Sequence, residues 1–345
     1  MLVGRGDGCM MEREMAIRFD EATASLGAIG TALRKLPERV RARVQEVRLR
    51  AGRPVVLALA GQDLYLTCAG TVSERPGEHV LTAMRPQLEE AFRLICDSSV
   101  YAHQHEIRCG FVTLRGGHRA GLCGTAVLQG GTVSNLRDIS GINLRIAREF
   151  RGAADGLLAA IGTSGRVRGT ILAGPPGCGK TTVLRDLARQ LSNGVSGRCR
   201  VSVVDERGEI AATFKGVPQN DIGQCDVLDG YPKGEGILQA VRCLSPDVVI
   251  CDEIGGETDA RAVAASLNAG VAVIASAHAA KMEELFARPP MRAVLETGAF
   301  VQAALLCGRD RPGQVKAFYR EGELHDFQIS GSGSALWRLH DGRAS

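Results

Sequence analysis

Aromatic residues are scarce in this chain: one Trp, four Tyr and nine Phe make up 4% of 345 residues. That scarcity argues against a dedicated single-stranded nucleic-acid binder, which stacks bases on aromatic side chains interleaved with basic ones. Trp337 and Arg338 near the end are too slight to form such a platform. Charge of one sign is also missing. A formal net charge of +4 and a pI near 8.5 permit contact with an anionic membrane surface or nucleic acid but supply no dense basic stripe. No apolar run approaches the roughly 20 residues of a bilayer-crossing helix, so no membrane span is expected. The N-terminal stretch carries Asp7, Glu12, Arg13 and Glu14 and has no secretory apolar core. The eleven cysteines include no C-x-x-C pair, which leaves neither zinc nor disulfide spacing. Several, such as Cys109, Cys123 and Cys251, fall in apolar strand-like text and read as reduced, buried thiols of a cytosolic protein.

What is present is a complete phosphate loop. Gly174-Pro175-Pro176-Gly177-Cys178-Gly179-Lys180-Thr181 reads G-x-x-x-x-G-K-[ST], the Walker A pattern. It follows the short apolar strand G-T-I-L-A at 169 to 173 and opens a helix in which Val183, Leu184, Leu187 and Leu191 recur at helical spacing. Glycine turns let backbone N–H groups approach phosphate oxygens, and the helix N-terminus adds partial positive charge. Gly174 to Thr181 together with Thr182 are the expected nucleotide-binding residues. Lys180 is expected to reach the β- and γ-phosphates, and Thr181 to ligate Mg²⁺.

A second element is required to hold the metal and activate water. D-V-V-I-C-D-E-I at 247 to 254 supplies it as a hydrophobic strand ending in two acids, a Walker B pattern. Asp252 is the expected metal residue and Glu253 the expected proton acceptor from the attacking water. Adjacent carboxylates at a buried strand end are costly without a cation, which favours a metal site over a solvated strand terminus.

The rest of the chain organises around these motifs. Residues 1 to 18 show no clear periodicity and are expected to be a disordered extension. A helical pattern runs from Asp20 to Leu36, strand-like text begins near Gln45, Met84 to Asp97 is helical again, and Arg108 to Leu128 resumes short strands. An α+β domain is therefore expected over 19 to 152. Beyond it, strands at 169 to 173, 200 to 204, 247 to 252 and 270 to 276 alternate with helices, which specifies a parallel sheet covered on both faces. That second domain is expected over 153 to 330, with further strands after 299, a pair joined at Glu321-Gly322, and a flexible tail over 331 to 345.

With both phosphate-site motifs placed, further segments resemble the stage III sporulation protein AA family, relatives of the type II and type IV secretion ATPases. They are E-V-R-L-R-A-G-R-P-V at 46 to 55, G-G-H-R-A-G-L-C-G at 116 to 124, N-L-R-I-A-R at 143 to 148, V-D-E-R-G-E-I at 204 to 210, D-V-L-D-G-Y-P-K at 226 to 233 and S-P-D-V-V-I-C-D-E-I at 245 to 254. The resemblance implies a RecA-like P-loop NTPase core preceded by a smaller N-terminal α+β domain. It also implies ATP rather than GTP, a homo-oligomeric ring, expected to be a hexamer, and membrane-protein partners in a sporulation channel complex. Its place would be peripheral to the inner membrane, on the mother-cell side of the forespore septum.

Asp205 and Glu206 then sit where secretion ATPases carry an acidic box, and His278 in A-S-A-H-A where they carry a histidine box. The general base stays open between Glu253 and Glu206, while His278 is expected to sense the γ-phosphate. Asp205 and Glu206 could equally serve as turn acids, and His278 as a hydrogen-bonded strand-end residue. An arginine from a neighbouring subunit or domain completes many such sites. Arg108, Arg119, Arg145, Arg148, Arg207 and Arg242 are the candidates, with Arg119, Arg145 and Arg148 favoured because the resemblance places their domain over the nucleotide. Two other readings stay open: a motor stimulated by nucleic acid, and an ATP-binding structural switch without turnover.

Overall fold

In the strand Glu46–Arg50 (β1), Val47 and Leu49 are fully buried while Glu46, Arg48 and Arg50 point outward. A period of two with one polar face marks an antiparallel sheet covered on one side only. The computed structural model describes residues 5–161, 167–195 and 197–324. It separates into two units, one running to Arg148 and including Thr213–Gln219, the other holding Glu149–Ala212 and the chain from Asn220 onward.

In the first unit β1 is joined by Val56–Leu59 (β2), Gln62–Leu66 (β3), Val72–Ser73 (β4), Phe111–Thr113 (β5), Arg119–Gln129 (β6) and Thr132–Arg145 (β7). Their order is β4-β3-β2-β1-β7-β6-β5, antiparallel throughout. Helices Arg5–Thr23 (α1), Gly27–Leu33 (α2) and Arg85–Ile95 (α3) bring Phe19, Ile29, Leu33, Leu88 and Ile95 into one core with Val47, Leu49 and Leu144.

The second unit is built on a sheet of seven strands among its described residues. These are Thr170–Gly174 (β8), Val201–Asp205 (β9), Asp226–Asp229 (β10), Val248–Cys251 (β11), Ala272–His278 (β12), Gln302–Leu306 (β13) and Val315–Arg320 (β14). The order is β10-β9-β11-β12-β8-β13-β14, with every pairing parallel except β13 with β14. Successive residues of the parallel strands enter opposite cores. Ile171 and Ala173 join one with Val249, Val273 and Ala303, whereas Leu172 joins the other with Val203, Ile250 and Ile274. Burial on both faces is why these strands read as unbroken apolar runs. Helices Asp155–Ile161 (α4), Lys180–Ser192 (α5), Lys233–Cys243 (α6) and Glu257–Asn268 (α7) belong to the same unit. Register aligns Gly174 with His278 and Val204 with Cys251, so the loop, both acidic strand ends and the histidine emerge at one edge of the sheet. The carboxyl edge of an open parallel sheet is where such folds place ligands.

Several expectations are corrected. Helix α1 starts at Arg5, inside the stretch expected to be a disordered extension, and its later turns bury Ala16, Phe19 and Ala22 at i, i+3 spacing. The helical pattern from Asp20 to Leu36 is broken at Gly27, whose φ of +58° starts α2 on a new axis. Residues 321–324 form a helical turn in place of the hairpin expected at Glu321-Gly322. The tail at 331 to 345 lies outside the described residues. Cys109 and Cys123 are exposed, unlike Cys251, because one caps a short helix and the other lies on the open face of β6. The strand β10 has no counterpart among the expected elements.

Candidate functional site

The loop between β8 and α5 is a tight cradle. Gly177 and Gly179 have φ of +76° and +92°, a region that side chains rarely enter, and a Cβ on Gly179 would stand 2.9 Å from the backbone nitrogen of Gly313. The turn joining β13 to β14 packs on this loop from outside. Gly313 N–H donates to the Cys178 carbonyl at 2.8 Å, and Arg309 Nε donates to the Pro176 carbonyl at 3.0 Å. Helix α5 begins at Lys180, so its first N–H groups face the cradle and favour an anion there.

Lys180 is buried at 6% exposure, and its ammonium is fully engaged. Nζ donates to the Gly174 carbonyl at 2.9 Å and the Pro175 carbonyl at 3.2 Å, and lies 3.1 Å from Nδ1 of His278. An ammonium has no acceptor, so Nδ1 accepts and the proton of the neutral ring sits on Nε2. Nε2 in turn lies 2.7 Å from Oε1 of Glu253. The other oxygen of that carboxylate, Oε2, accepts from Arg207 Nη1 at 2.8 Å. Partial burial would raise the pKa of Glu253, but the His278 hydrogen bond and the Arg207 charge outweigh it and hold the carboxyl below its ordinary range.

Asp252 sits beside this chain. Thr181 Oγ1 donates to its Oδ2 at 2.8 Å, and the Ser276 hydroxyl donates to Oδ1. Glu253 N–H also points back, to Asp252 Oδ1 at 2.9 Å and Ser276 Oγ at 3.0 Å. This folded-back turn gives Glu253 a φ of +45°, a strained value for a side-chain-bearing residue. Thr181 and Asp252 thus converge as a hydroxyl and a carboxylate, the hard oxygen donors Mg²⁺ takes alongside phosphate and water. Among the described residues no cluster of three His, Cys, Asp or Glu side chains forms a metal cage.

The acidic pair at the end of β9 divides its work. Asp205 is 2% exposed, and its carboxylate accepts from Glu209 N–H at 2.8 Å, Ile210 N–H at 3.1 Å and Ala211 N–H at 2.8 Å. Burial pushes this carboxyl up while the N–H donors oppose the shift, and the net effect is to raise it. Asp205 therefore ties the loop that follows it. Glu206 pairs with Lys233 at the start of α6, and the two line a small cleft with Arg207, Asp252 and Glu253. Ser276, Lys233 and Arg309 are site residues that sequence reasoning did not single out. Lys233 closes the D-V-L-D-G-Y-P-K segment and Ser276 lies two residues before His278, so both stood within quoted motifs. Nothing marked Arg309.

Pro176, Gly177, Gly179, Lys180, Thr181 and Thr182 line one open cleft. Asp252, Glu253 and His278 form its opposite wall. Arg119, Arg145 and Arg148 belong to the first unit. Arg119 stacks its guanidinium 3.4 Å above the Phe111 ring, Arg145 is exposed on β7, and Arg148 Nη2 donates to the Ala42 and Val44 carbonyls at 3.2 and 2.9 Å.

A family profile described as Sporulation stage III, protein AA matches residues 25–324. The Bacillus subtilis (strain 168) protein called Stage III sporulation protein AA is 40% identical over 291 residues, covering 84% of this chain and 90% of that protein. Two solved structures share the fold at low identity. The pilus retraction motor PilT, solved with bound ADP, matches at a TM-score of 0.52 and 17% identity, over 76% of this chain and 74% of its own. The Yersinia pseudotuberculosis ATPase DotB matches at 0.52 and 14% identity, over 84% and 79%. The architecture is the RecA-like α/β core of the secretion ATPases with a separate N-terminal α+β unit.

Proposed function

The chain belongs to the sporulation stage III protein AA family, and from that premise we propose that it is a Mg²⁺-dependent ATPase whose turnover drives a secretion-like channel complex at the forespore septum. The observation that carries the reading is the convergence of Lys180, the Thr181 hydroxyl and Asp252 at the mouth of one glycine cradle, with Thr181 and Asp252 2.8 Å apart. Lys180 exchanges its loop carbonyls and His278 for the β- and γ-phosphates. Thr181 and Asp252 hold Mg²⁺, which would supply charge neutralisation on the phosphate oxygens. Glu253, released from Arg207 and His278, accepts the proton of a water in line with the γ-phosphate. The protein's contribution is positioning and fixed electrostatics more than covalent chemistry. Both carboxylates are engaged, Glu206 by Lys233 and Glu253 by Arg207 and His278, but Glu253 lines the cleft that holds Lys180 and Thr181, which favours it as the base.

In the same reading the protein works as a homo-oligomeric ring, a hexamer, peripheral to the membrane on the mother-cell side and bound to membrane proteins of the channel. No described helix is long and apolar enough to cross a membrane itself. The test is phosphate release by the full chain with Mg²⁺-ATP over a range of protein concentrations, with Lys180→Ala as the blank. A rate that is lost in the variant supports the ATPase, and one that persists removes it.

A further inference from the structure

Phe150 is 52% exposed in a chain poor in aromatic residues, yet both of its neighbours are anchored. Glu149 Oε1 accepts from the Asp221 N–H at 3.1 Å, and Arg151 Nη2 donates to Asp221 Oδ2 at 3.0 Å. The ring therefore presents an apolar face to water between two residues whose side chains both reach Asp221.

The ring lines a cleft with Thr182, Arg185, Arg189 and Asp221. Arg185 donates to the Glu209 and Ile210 carbonyls at 2.7 and 3.0 Å, and Arg189 to Asp186 at 2.6 Å. The cations beside the ring are thus engaged by the protein. Thr182 is also a wall of the cleft that contains Lys180, Asp252, Glu253 and His278, so the two clefts meet at that residue. In a phosphate loop the lysine takes the β- and γ-phosphates while the loop backbone cradles the α- and β-phosphates. With the γ end set against Asp252, Glu253 and His278, the nucleoside leaves past Thr182, toward Phe150.

We propose that Phe150 is the stacking platform for the base of the bound nucleotide, a subsite that rests on reading the phosphate loop as an ATP site. Stacking on an aromatic face accepts any base.

Isothermal titration calorimetry of the full chain with ADP and with inorganic pyrophosphate, both with Mg²⁺, tests it. Phe150→Ala is expected to weaken ADP about tenfold or more, the range of a lost base–aromatic stack, and to leave pyrophosphate unchanged. Phe150→Trp is expected to retain ADP binding, while Lys180→Ala weakens both ligands. Unchanged ADP affinity in Phe150→Ala, or an equal loss for ADP and pyrophosphate, overturns the subsite. A Lys180→Ala chain that binds both ligands normally would instead bring down the ATP reading, and the base subsite with it.

Discussion

His278 Nε2 and Glu253 Oε1 stand 2.7 Å apart, with the opposite ring nitrogen 3.1 Å from the ammonium of Lys180. One imidazole therefore connects the lysine of the glycine loop to the carboxylate proposed to activate water. When a phosphate draws Lys180 away, His278 loses its donor and is able to turn toward that anion, which changes what holds Glu253.

Glu253→Gln is expected to keep Mg²⁺-ATP binding while lowering hydrolysis by about 10²–10⁴-fold, the usual worth of a general base. Glu206→Gln is expected to cost less, because Glu206 lines the neighbouring cleft with Lys233 and Glu253 the one with Lys180 and Thr181. Single-turnover phosphate release by both variants checks the order of effects, and the reverse order would move the base to Glu206.

Arg207 engages the second oxygen of Glu253 from a loop that Asp205 ties down. Removing that partner frees the carboxylate, so Arg207→Ala is expected to raise basal turnover a few-fold. A fall in rate would assign Arg207 to the phosphates in the working state.

His118 is fully buried, its Nδ1 accepts from the Ala147 N–H at 3.0 Å, and its Nε2 has Glu21 at 3.7 Å. Burial, helped by the charge of Arg18, lowers its pKa from 6.5 to about 4. The unfolded chain then binds the proton more readily than the folded one between those values, so stability rises with pH across that window and is lost as pH falls through it. The loss amounts to roughly 3 kcal/mol at most. Urea denaturation at pH 7 and pH 4.5 should show that slope in the native chain and a flatter one in His118→Gln.

Cys251 is fully buried and its thiol is pushed up to about 12 by desolvation, and Cys178 and Cys307 are buried as well. Cys68, Cys109, Cys123 and Cys243 are exposed. Brief alkylation of the native protein followed by peptide mass spectrometry is expected to label the exposed four and spare the buried Cys96, Cys178, Cys251 and Cys307. Labelling of Cys251 at a comparable rate would contradict the buried strand.

The glycine loop and the acid pair were legible because each motif is local: Gly174 to Thr181 is a single turn, and Asp252-Glu253 ends a single strand. The parallel sheet was legible too, since strands buried on both faces leave unbroken apolar runs. Partnerships were not. Nothing in the order of residues says that Arg207 reaches Glu253, that Lys233 takes Glu206 or that Ser276 donates to Asp252, because each pair joins segments far apart in the chain. The exposure of Cys109 and Cys123 was misread for a related reason: short strand-like text looks the same on an open face as in a core.

By itself the sequence determined a glycine-rich loop between a strand and a helix, a strand-end acid pair and a parallel α/β sheet, since these depend on backbone flexibility, periodicity and composition over short spans. Only the tertiary structure decided the partners of the charges. Parallel register brings Gly174, Asp205, Asp252 and His278 to one edge of the sheet, and side-chain reach across that edge then selects which carboxylate ties a loop, which faces a lysine and which sits between an arginine and a histidine.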